Sequence, residues 1–523
     1  MESFIPSELT LETIFKSQME VALLQFHTEK IPVSIFTDQD TQFGVFELKP
    51  QKCDPIKTPI VIQYTIDISD SMKSPANRGS YQPKIDFIKE TLSKMLPYLL
   101  DNFHNDMWIQ IGLFSTKYST LIPMQLLTKD NLDSILIKIA GIESVGYTNI
   151  GVAFIESRKI MDESRSKNPT YKHLHMFLTD GLPTDGIYNS NELASLVSNE
   201  YPTLFIGYGN DHNAELLKLC ASHFLHSYQY VDNFEMTGQV YAEILYSILY
   251  TVIEEPVIQV EGGLIYDPIE NMWTNQINIP FWVAEKEYIY HICSICKEDV
   301  EIHIYNKNME KIYTTSELPL LIDANNILDT CNLDKYIFKQ KTLDLLSLSL
   351  HIKNHTDEID PTEQFNKIKT EIADFYKQLR TYMREKGLME DTFYKILCED
   401  LCVSYHAIKS QIEMKCFSDN NAEMNILSRR NAQATQSLHR ACSGRANTTP
   451  SVSENTCLLK RSVTTCDYDE ETQLDEYNSE DMEYIIIKPN IDEDDIENYQ
   501  DTDITENIYS PSGMTAMARH ISS

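Results

Sequence analysis

The stretch "TPIVIQYTIDISDSMKS", residues 58–74, decides the fold. An apolar run from Ile60 to Ile66 stops abruptly at Asp67-Ile68-Ser69-Asp70-Ser71. A second run, "HLHMFLT" (173–179), stops in the same way at Asp180 and Gly181. Near-continuous apolar runs of this length mark strands buried on both faces, in a mostly parallel sheet covered by helices. Strands that face water on one side alternate instead.

Working outward, further strands are expected at 107–115, 119–124, 202–208 and 227–231. Helices are expected at 83–100, 129–140, 150–165, 191–198, 212–223 and 235–253. In 83–100, Ile85, Ile88, Leu92, Met95, Leu96 and Leu99 recur at three- and four-residue spacing, which gives one apolar face for packing on a sheet. Residues 58–253 therefore read as an α/β domain with an open, doubly wound, mostly parallel sheet.

The flanks read differently. Residues 1–57 contain strand-like "MEVALLQFH", "IPVSIFT" and "FGVFELKP". Strand-like text returns at 254–356, in "PVIQVEGGLIYD", "IPFWVAEKEYIYHICSI" and "VEIHIYN", and a β-sandwich is expected there. The N-terminal strands are expected to join it, with the α/β unit inserted between two parts of one β domain. Residues 357–413 read as a helical hairpin broken at Gly387. Beyond it, 414–523 reads as a disordered tail, first basic and then acidic. Within this tail "LHRACS" (438–443), "LKRSVT" (459–464) and "MARHIS" (517–522) share a short pattern of the kind found in docking or phosphorylation motifs.

The chain has 523 residues and a net charge of -34. Between Val463 and Ile508 stand 17 Asp and Glu against the single Lys488, so this segment carries -16 and the remainder -18. Nucleic acid and anionic membrane surfaces need a basic face and are not expected as partners. The N-terminus has no signal pattern, and the longest apolar segment, 241–253, is too short to span a bilayer. An intracellular, cytoplasmic setting, in the sense of a reducing compartment, is the expectation, with scattered thiols among 11 cysteines. Cys293 and Cys296 form the sole CxxC, with His291 and His303 nearby, but lack the second pair that a structural zinc site uses.

In open α/β sheets functional residues gather at the carboxyl ends of strands. Asp67, Ser69 and Ser71 follow such an end, and in an extended turn these alternate positions face one side. One carboxylate and two hydroxyls suit a hard divalent cation, Mg²⁺ or Mn²⁺. More oxygens stand at two other loop ends: Thr148 in "GYTNIGVAF" (146–154) and Asp180 in "MFLTDGLPTDG" (176–186). Taken singly, each has a plainer use: Ser69 and Thr148 as helix N-caps, Asp180 as a turn residue before glycine.

In this order and at these separations, Asp67-x-Ser69-x-Ser71, Thr148 and Thr-Asp180-Gly resemble the von Willebrand factor type A domain and its metal-ion-dependent adhesion site. "DISDSM" and "LTDGLPTDG" look most like the intracellular and inter-alpha-inhibitor-like members, in which β-rich segments flank the domain. Asp70 departs from the pattern, since many members have glycine there. An added carboxylate beside the metal would raise its affinity for the ion; the alternative is that Asp70 points to solvent.

The resemblance implies a metal held by Asp67, Ser69, Ser71, Thr148 and Asp180, which binds a protein partner through that partner's acidic side chain. Function is then metal-dependent protein binding by an intracellular interaction or scaffold protein, without catalysis. Two alternatives stand beside it: an adaptor in a ubiquitin-type modification assembly, or a phosphate or metal hydrolase on the same sheet. No GxxxxGK[ST] loop, GxGxxG turn or GxSxG elbow occurs, and Ser69 stands where a dehalogenase-like DxD motif needs its second Asp.

Overall fold

The computed structural model describes residues 11–27, 35–36, 41–75, 82–103, 106–208, 212–231, 237–295, 299–315, 333–350 and 361–414. The expected disordered tail and its three short motifs lie outside these residues, as do Cys296 and most of the strand expected at 31–37.

The chain enters through a short helix α1 (Leu11–Gln18) and two antiparallel strands, β1 (Met19–Phe26) and β2 (Gln42–Pro50). The α/β unit follows. Its strands are β3 (Ile60–Asp67), β4 (Met107–Phe114), β5 (Tyr118–Leu126), β6 (Lys172–Thr179), β7 (Thr203–Tyr208) and β8 (Ser227–Val231). Its helices are α2 (Lys84–Asn102), α3 (Lys129–Ala140), α4 (Ile150–Lys167), α5 (Ser190–Ser195), α6 (Ala214–Cys220) and α7 (Thr237–Leu249). The sheet order is β5-β4-β3-β6-β7-β8, parallel throughout except that β5 runs antiparallel to β4.

β3 is buried along its whole length because it lies at the centre of this sheet, between β4 and β6. The chain steps from β3 to β4 on one side and later returns to place β6 on the other. The crevice between the carboxyl ends of β3 and β6 is thus a topological switch point, where ligands of open α/β sheets bind. Ile85, Ile88, Leu92, Met95, Leu96 and Leu99 of α2 are all buried in one cluster with Ile62, Tyr64 and Ile66 of β3.

The helix expected to run to residue 253 ends earlier. Thr251–Glu254 is strand β9, paired with β14 (Phe281–Val283), as its β-branched Thr251, Val252 and Ile253 favour. Beyond it come β10 (Val257–Glu261), β11 (Gly263–Asp267), β12 (Met272–Thr274), β13 (Gln276–Asn278), β15 (Tyr288–Ser294), β16 (Glu301–Tyr305) and β17 (Lys311–Thr314). They form a five-stranded sheet, β1-β2-β15-β11-β12, and a four-stranded sheet, β13-β10-β16-β17. Phe46, Leu48, Tyr290 and Ile292 of the first share one core with Ile258, Val260, Ile302 and Ile304 of the second. Because β2 pairs with β15, the α/β unit is an insertion in the β domain. Its entry and exit run side by side: Ile56 N–H donates to Leu249 O at 2.7 Å, and Glu285 N–H to Pro50 O at 3.0 Å.

Strand-like text extended to about residue 351, but Leu333–Leu350 is a helix, α8. It packs with α9 (Pro361–Lys386) and α10 (Thr392–Met414), so the expected hairpin has a third member. Leu333, Ile337, Phe338, Gln340, Thr342, Leu343, Leu345, Leu346 and Ser349 are all buried, on several sides of α8. A helix buried on several sides shows no clear 3.6-residue stripe, and "LLSLSL" imitates the alternation of a strand. The three helices bury Phe43, Val45 and Ile289 on the other face of the five-stranded sheet. His27 lies 2.6 Å from Asp334 Oδ1, and Tyr382 Oη donates to Asp334 Oδ2 at 2.5 Å, tying β1, α8 and α9 together. Asp334→Ala is expected to cost about 1–3 kcal/mol, because it leaves two buried partners unsatisfied; urea unfolding followed by helical circular dichroism checks this.

Candidate functional site

Asp67 is the last residue of β3, and its carboxylate is fastened at both oxygens. Ser69 N–H donates to Oδ1 at 2.8 Å, and Thr179 Oγ1, at the end of neighbouring β6, donates to Oδ2 at 2.7 Å. Ser69 and Ser71 share a hydrogen bond between hydroxyls at 3.0 Å, and Ser71 Oγ donates to Asp180 Oδ1 at 2.8 Å. Asp67, Ser69, Ser71 and Asp180 thus form one connected set across two loops.

The third loop is brought in by backbone bonds. Val145 N–H donates to Ile68 O at 2.6 Å, and Asp70 N–H to Gly146 O at 3.0 Å. Gly146 has φ +88°, a left-handed conformation that glycine adopts without strain. Thr148 N–H donates to Thr184 Oγ1 at 2.8 Å, and Thr184 N–H returns to Thr148 O at 2.9 Å. A Cβ built on Gly181 would lie 3.4 Å from Thr148 Oγ1 and 3.7 Å from Ser71 Oγ. All three loops therefore meet at the switch point.

The plainer uses of these residues are taken by others or absent. Ser69 precedes the 3₁₀ turn Asp70–Lys73, yet its side chain makes no capping bond there. Asn149, rather than Thr148, caps α4 by accepting from Val152 N–H at 3.0 Å. Asp180 is fully buried rather than standing at an exposed turn. Asp70 is exposed and paired with Lys73 at 2.6 Å, so the departure from the motif faces solvent. The Lys73 ammonium holds the Asp70 carboxyl below the usual carboxylate range.

Sequence reasoning missed Lys84. Its Nζ donates to Asp180 Oδ2 at 2.7 Å, and both side chains are buried. Nothing in the sequence singles it out, since a lysine opening an amphipathic helix reads as a solvent residue. Thr179 and Thr184 were also missed as supports, although both stand inside the quoted "LTDGLPTDG".

The charges do not balance locally. Asp67 and Asp180 are both 0% exposed, and among the described residues the ammonium bonded to them is that of Lys84. Burial, followed by the nearby Asp180 charge, raises Asp67 to about 7, against the opposing pull of the Ser69 and Thr179 donors. The donor set is carboxylate and hydroxyl oxygen, and it is short of one positive charge. It fits a hard divalent cation.

Elsewhere, Glu261, Glu301 and His303 bring ligand atoms close together. Lys311 Nζ lies 3.3 Å from His303 Nδ1 in the same cluster. His291 is likewise engaged, with Nδ1 2.6 Å from Gln340 Oε1, and Cys293 is buried on β15.

Two outcomes are expected for the metal-free chain in EDTA. Lys84→Met is expected to cost about 3–5 kcal/mol, because it leaves Asp180 buried without its cation; thermal unfolding checks it. Asp67 has a folded pKa above its unfolded value, so its contribution is full below about pH 4 and is lost as pH rises through about 7. Melting temperatures of wild type and Asp67→Asn compared across that window should diverge, with wild type falling further.

With this geometry described, comparison with known proteins is informative. The family model of the von Willebrand factor type A domain matches residues 62–243. No curated protein matches the chain. Among solved structures, it is similar to a von Willebrand factor type A protein from Catenulispora acidiphila, at 13% identity and TM-score 0.47, over 73% of this chain and 89% of that one. It is also similar to the ArnB paralog VWA2 from Sulfolobus acidocaldarius, at 14% identity and TM-score 0.43, over 80% of this chain and 97% of that one.

Proposed function

Residues 62–243 are a von Willebrand factor type A domain, and we propose that in this chain it works as a non-catalytic, divalent-cation-dependent protein-binding module. Domains of this family generally mediate protein–protein interactions. Asp67, Ser69, Ser71, Thr148 and Asp180 would hold Mg²⁺ or Mn²⁺. When bound, the ion supplies a Lewis-acidic anchor for an Asp or Glu side chain of the partner.

The chain's own residues do the positioning. Thr179 and the Ser69 backbone fix the Asp67 carboxylate, and Ser71 links Asp180 to the first loop. Thr184 holds the backbone at Thr148 from two sides. Lys84 neutralises part of the acidic charge, which leaves a low-charge oxygen set and an ion that stays attractive to an anion. The observation that carries the reading is the pair of fully buried carboxylates matched, among the described residues, by a single ammonium.

We place the module inside the cell, as an interaction or scaffold protein of the type whose A domain is flanked by β-rich segments. What supports this is that none of the five described cysteines is in a disulfide. No helix among the described residues is long and apolar enough to cross a membrane.

Metal titration tests the reading. At an ion concentration 100-fold above the dissociation constant, binding adds about 2.7 kcal/mol. For a domain of this size that raises the melting temperature by roughly 5–10 °C. Wild type should show the rise and Asp67→Ala should not. A wild-type chain whose melting is indifferent to millimolar Mg²⁺ and Mn²⁺ would end the proposal.

A further inference from the structure

The rim of the site is apolar. Val145 is 59% exposed, Tyr147 66%, Leu182 41% and Tyr188 64%, although all are large and apolar. All four stand on the loops that build the site. Val145 and Tyr147 immediately precede Thr148, and Leu182 follows Asp180 by two residues. Tyr188 Oη donates to Thr184 O at 3.0 Å, on the residue that supports Thr148. Exposed apolar side chains on the loops that carry a buried polar centre point to an interaction surface. Its ligand should present a carboxylate flanked by aromatic or aliphatic side chains.

The sequence contains such a ligand. Within the acidic segment, "SEDMEYIII" (479–487) sets Glu480, Asp481 and Glu483 directly before Tyr484, Ile485, Ile486 and Ile487. An apolar run of this length is out of place in a stretch that otherwise alternates acids with polar residues, unless something covers it. These residues lie outside the described ones. We propose that residues 480–487 of the chain dock on its own metal face, with a carboxylate of Glu480, Asp481 or Glu483 toward the ion and Tyr484–Ile487 against Val145, Tyr147, Leu182 and Tyr188. The inference rests on the metal-dependent reading above and names the site's resident ligand.

Reach and charge both favour this occupant. The described chain ends at Met414, and 65 residues, 415–479, separate it from the segment. A random coil of that length would have a root-mean-square span of about 45 Å, and a fully extended chain of that length stretches to roughly 200 Å. It reaches any face of the molecule. Tethering holds the segment at an effective concentration on the order of a millimolar, so a carboxylate contact with millimolar affinity is already about half occupied. The metal-loaded face is the locally positive spot to which an acidic segment is drawn, on a chain whose remainder carries -18. The docked segment then stands in the place of an outside partner, which binds only by displacing it.

Hydrogen–deuterium exchange on the full chain, in Mg²⁺ and in EDTA, tests this, with calorimetry reporting Mg²⁺ binding independently. Mg²⁺ should slow exchange at 480–487, and at the 144–148 and 181–188 loops, by a few-fold or more. The variant Glu480→Gln/Asp481→Asn/Glu483→Gln should still bind Mg²⁺, about two-fold or more weakly because docking and ion binding are linked, yet lose the slowing at 480–487. If wild type binds Mg²⁺ while 480–487 exchanges equally fast in both buffers, docking is refuted and the metal reading stands. If calorimetry finds no Mg²⁺ binding, both fall. Protection that persists in EDTA, or that fades on dilution of the protein, also overturns it, the second by assigning the segment to a neighbouring copy.

Discussion

Two carboxylates buried side by side are the constraint on which this structure turns. Asp67 and Asp180 end adjacent parallel strands, and neither touches solvent. Removing an ionised carboxylate from water costs several kcal/mol even after the protein relaxes. That cost stands only where donors and cations return most of it. The chain supplies the Ser69 backbone, Thr179, Ser71 and the Lys84 ammonium. Four donors, one of them a cation, still leave the pair acidic, and burial first, then the Asp180 charge, raises Asp67. A fold optimised for stability alone would put an apolar pair at this position. Its retention here makes sense as a site kept short of positive charge.

The rest of the α/β unit serves to hold that geometry. The switch point exists because β3 has β4 on one side and β6 on the other, and the register pairs Ile66 of β3 with Leu178 of β6. The ends of these two strands, one residue from Asp67 and two from Asp180, are therefore fixed by the sheet rather than by loops. The loops are then locked to the sheet and to one another by backbone bonds that no side-chain change removes. The insertion geometry adds a further restraint. Entry and exit of the unit run together against the β domain, so the site projects from a base anchored at two chain crossings. The anchor itself is stiff, because the five-stranded sheet is covered by the second sheet on one face and by three helices on the other.

Much of this was legible in the sequence, for reasons that differ by element. The doubly wound sheet could be read because central parallel strands are buried on both faces and write themselves as apolar runs, as at 60–66. The oxygen-bearing residues stood out because a carboxylate directly after an apolar run, following Ile66 or Thr179, is conspicuous. Lys84 could not be read. Its role depends on where α2 begins relative to Asp180, a relation 96 residues apart in the chain that only the packed fold creates. Helix α8 could not be read either, since burial on several sides erases the periodicity that distinguishes a helix from a strand. The rim was legible as letters but not as a surface: Val145, Tyr147, Leu182 and Tyr188 look like core residues until the fold turns them outward.

The overall acidity of the chain does not conflict with recognition of an acidic ligand, because the two act over different distances. At physiological ionic strength the Debye length is about 8 Å, so charges scattered over the surface are largely screened from an approaching carboxylate. A unit charge 20 Å away in water contributes roughly 0.2 kcal/mol even before screening. Within the site, two charges about 4 Å apart interact with about 4 kcal/mol at the effective dielectric of a protein surface. What the ligand feels is therefore the local sum over Asp67, Asp180, Lys84 and any bound ion. Without a divalent cation that sum is -1 when both carboxylates are ionised, and an acid is repelled. With one it becomes +1, and the same acid is attracted. On the proposed reading, sign reversal by a single ion would make the surface a switch, and the net charge of -34 would set only how sharply the remainder of the molecule discourages non-specific contact with other anions.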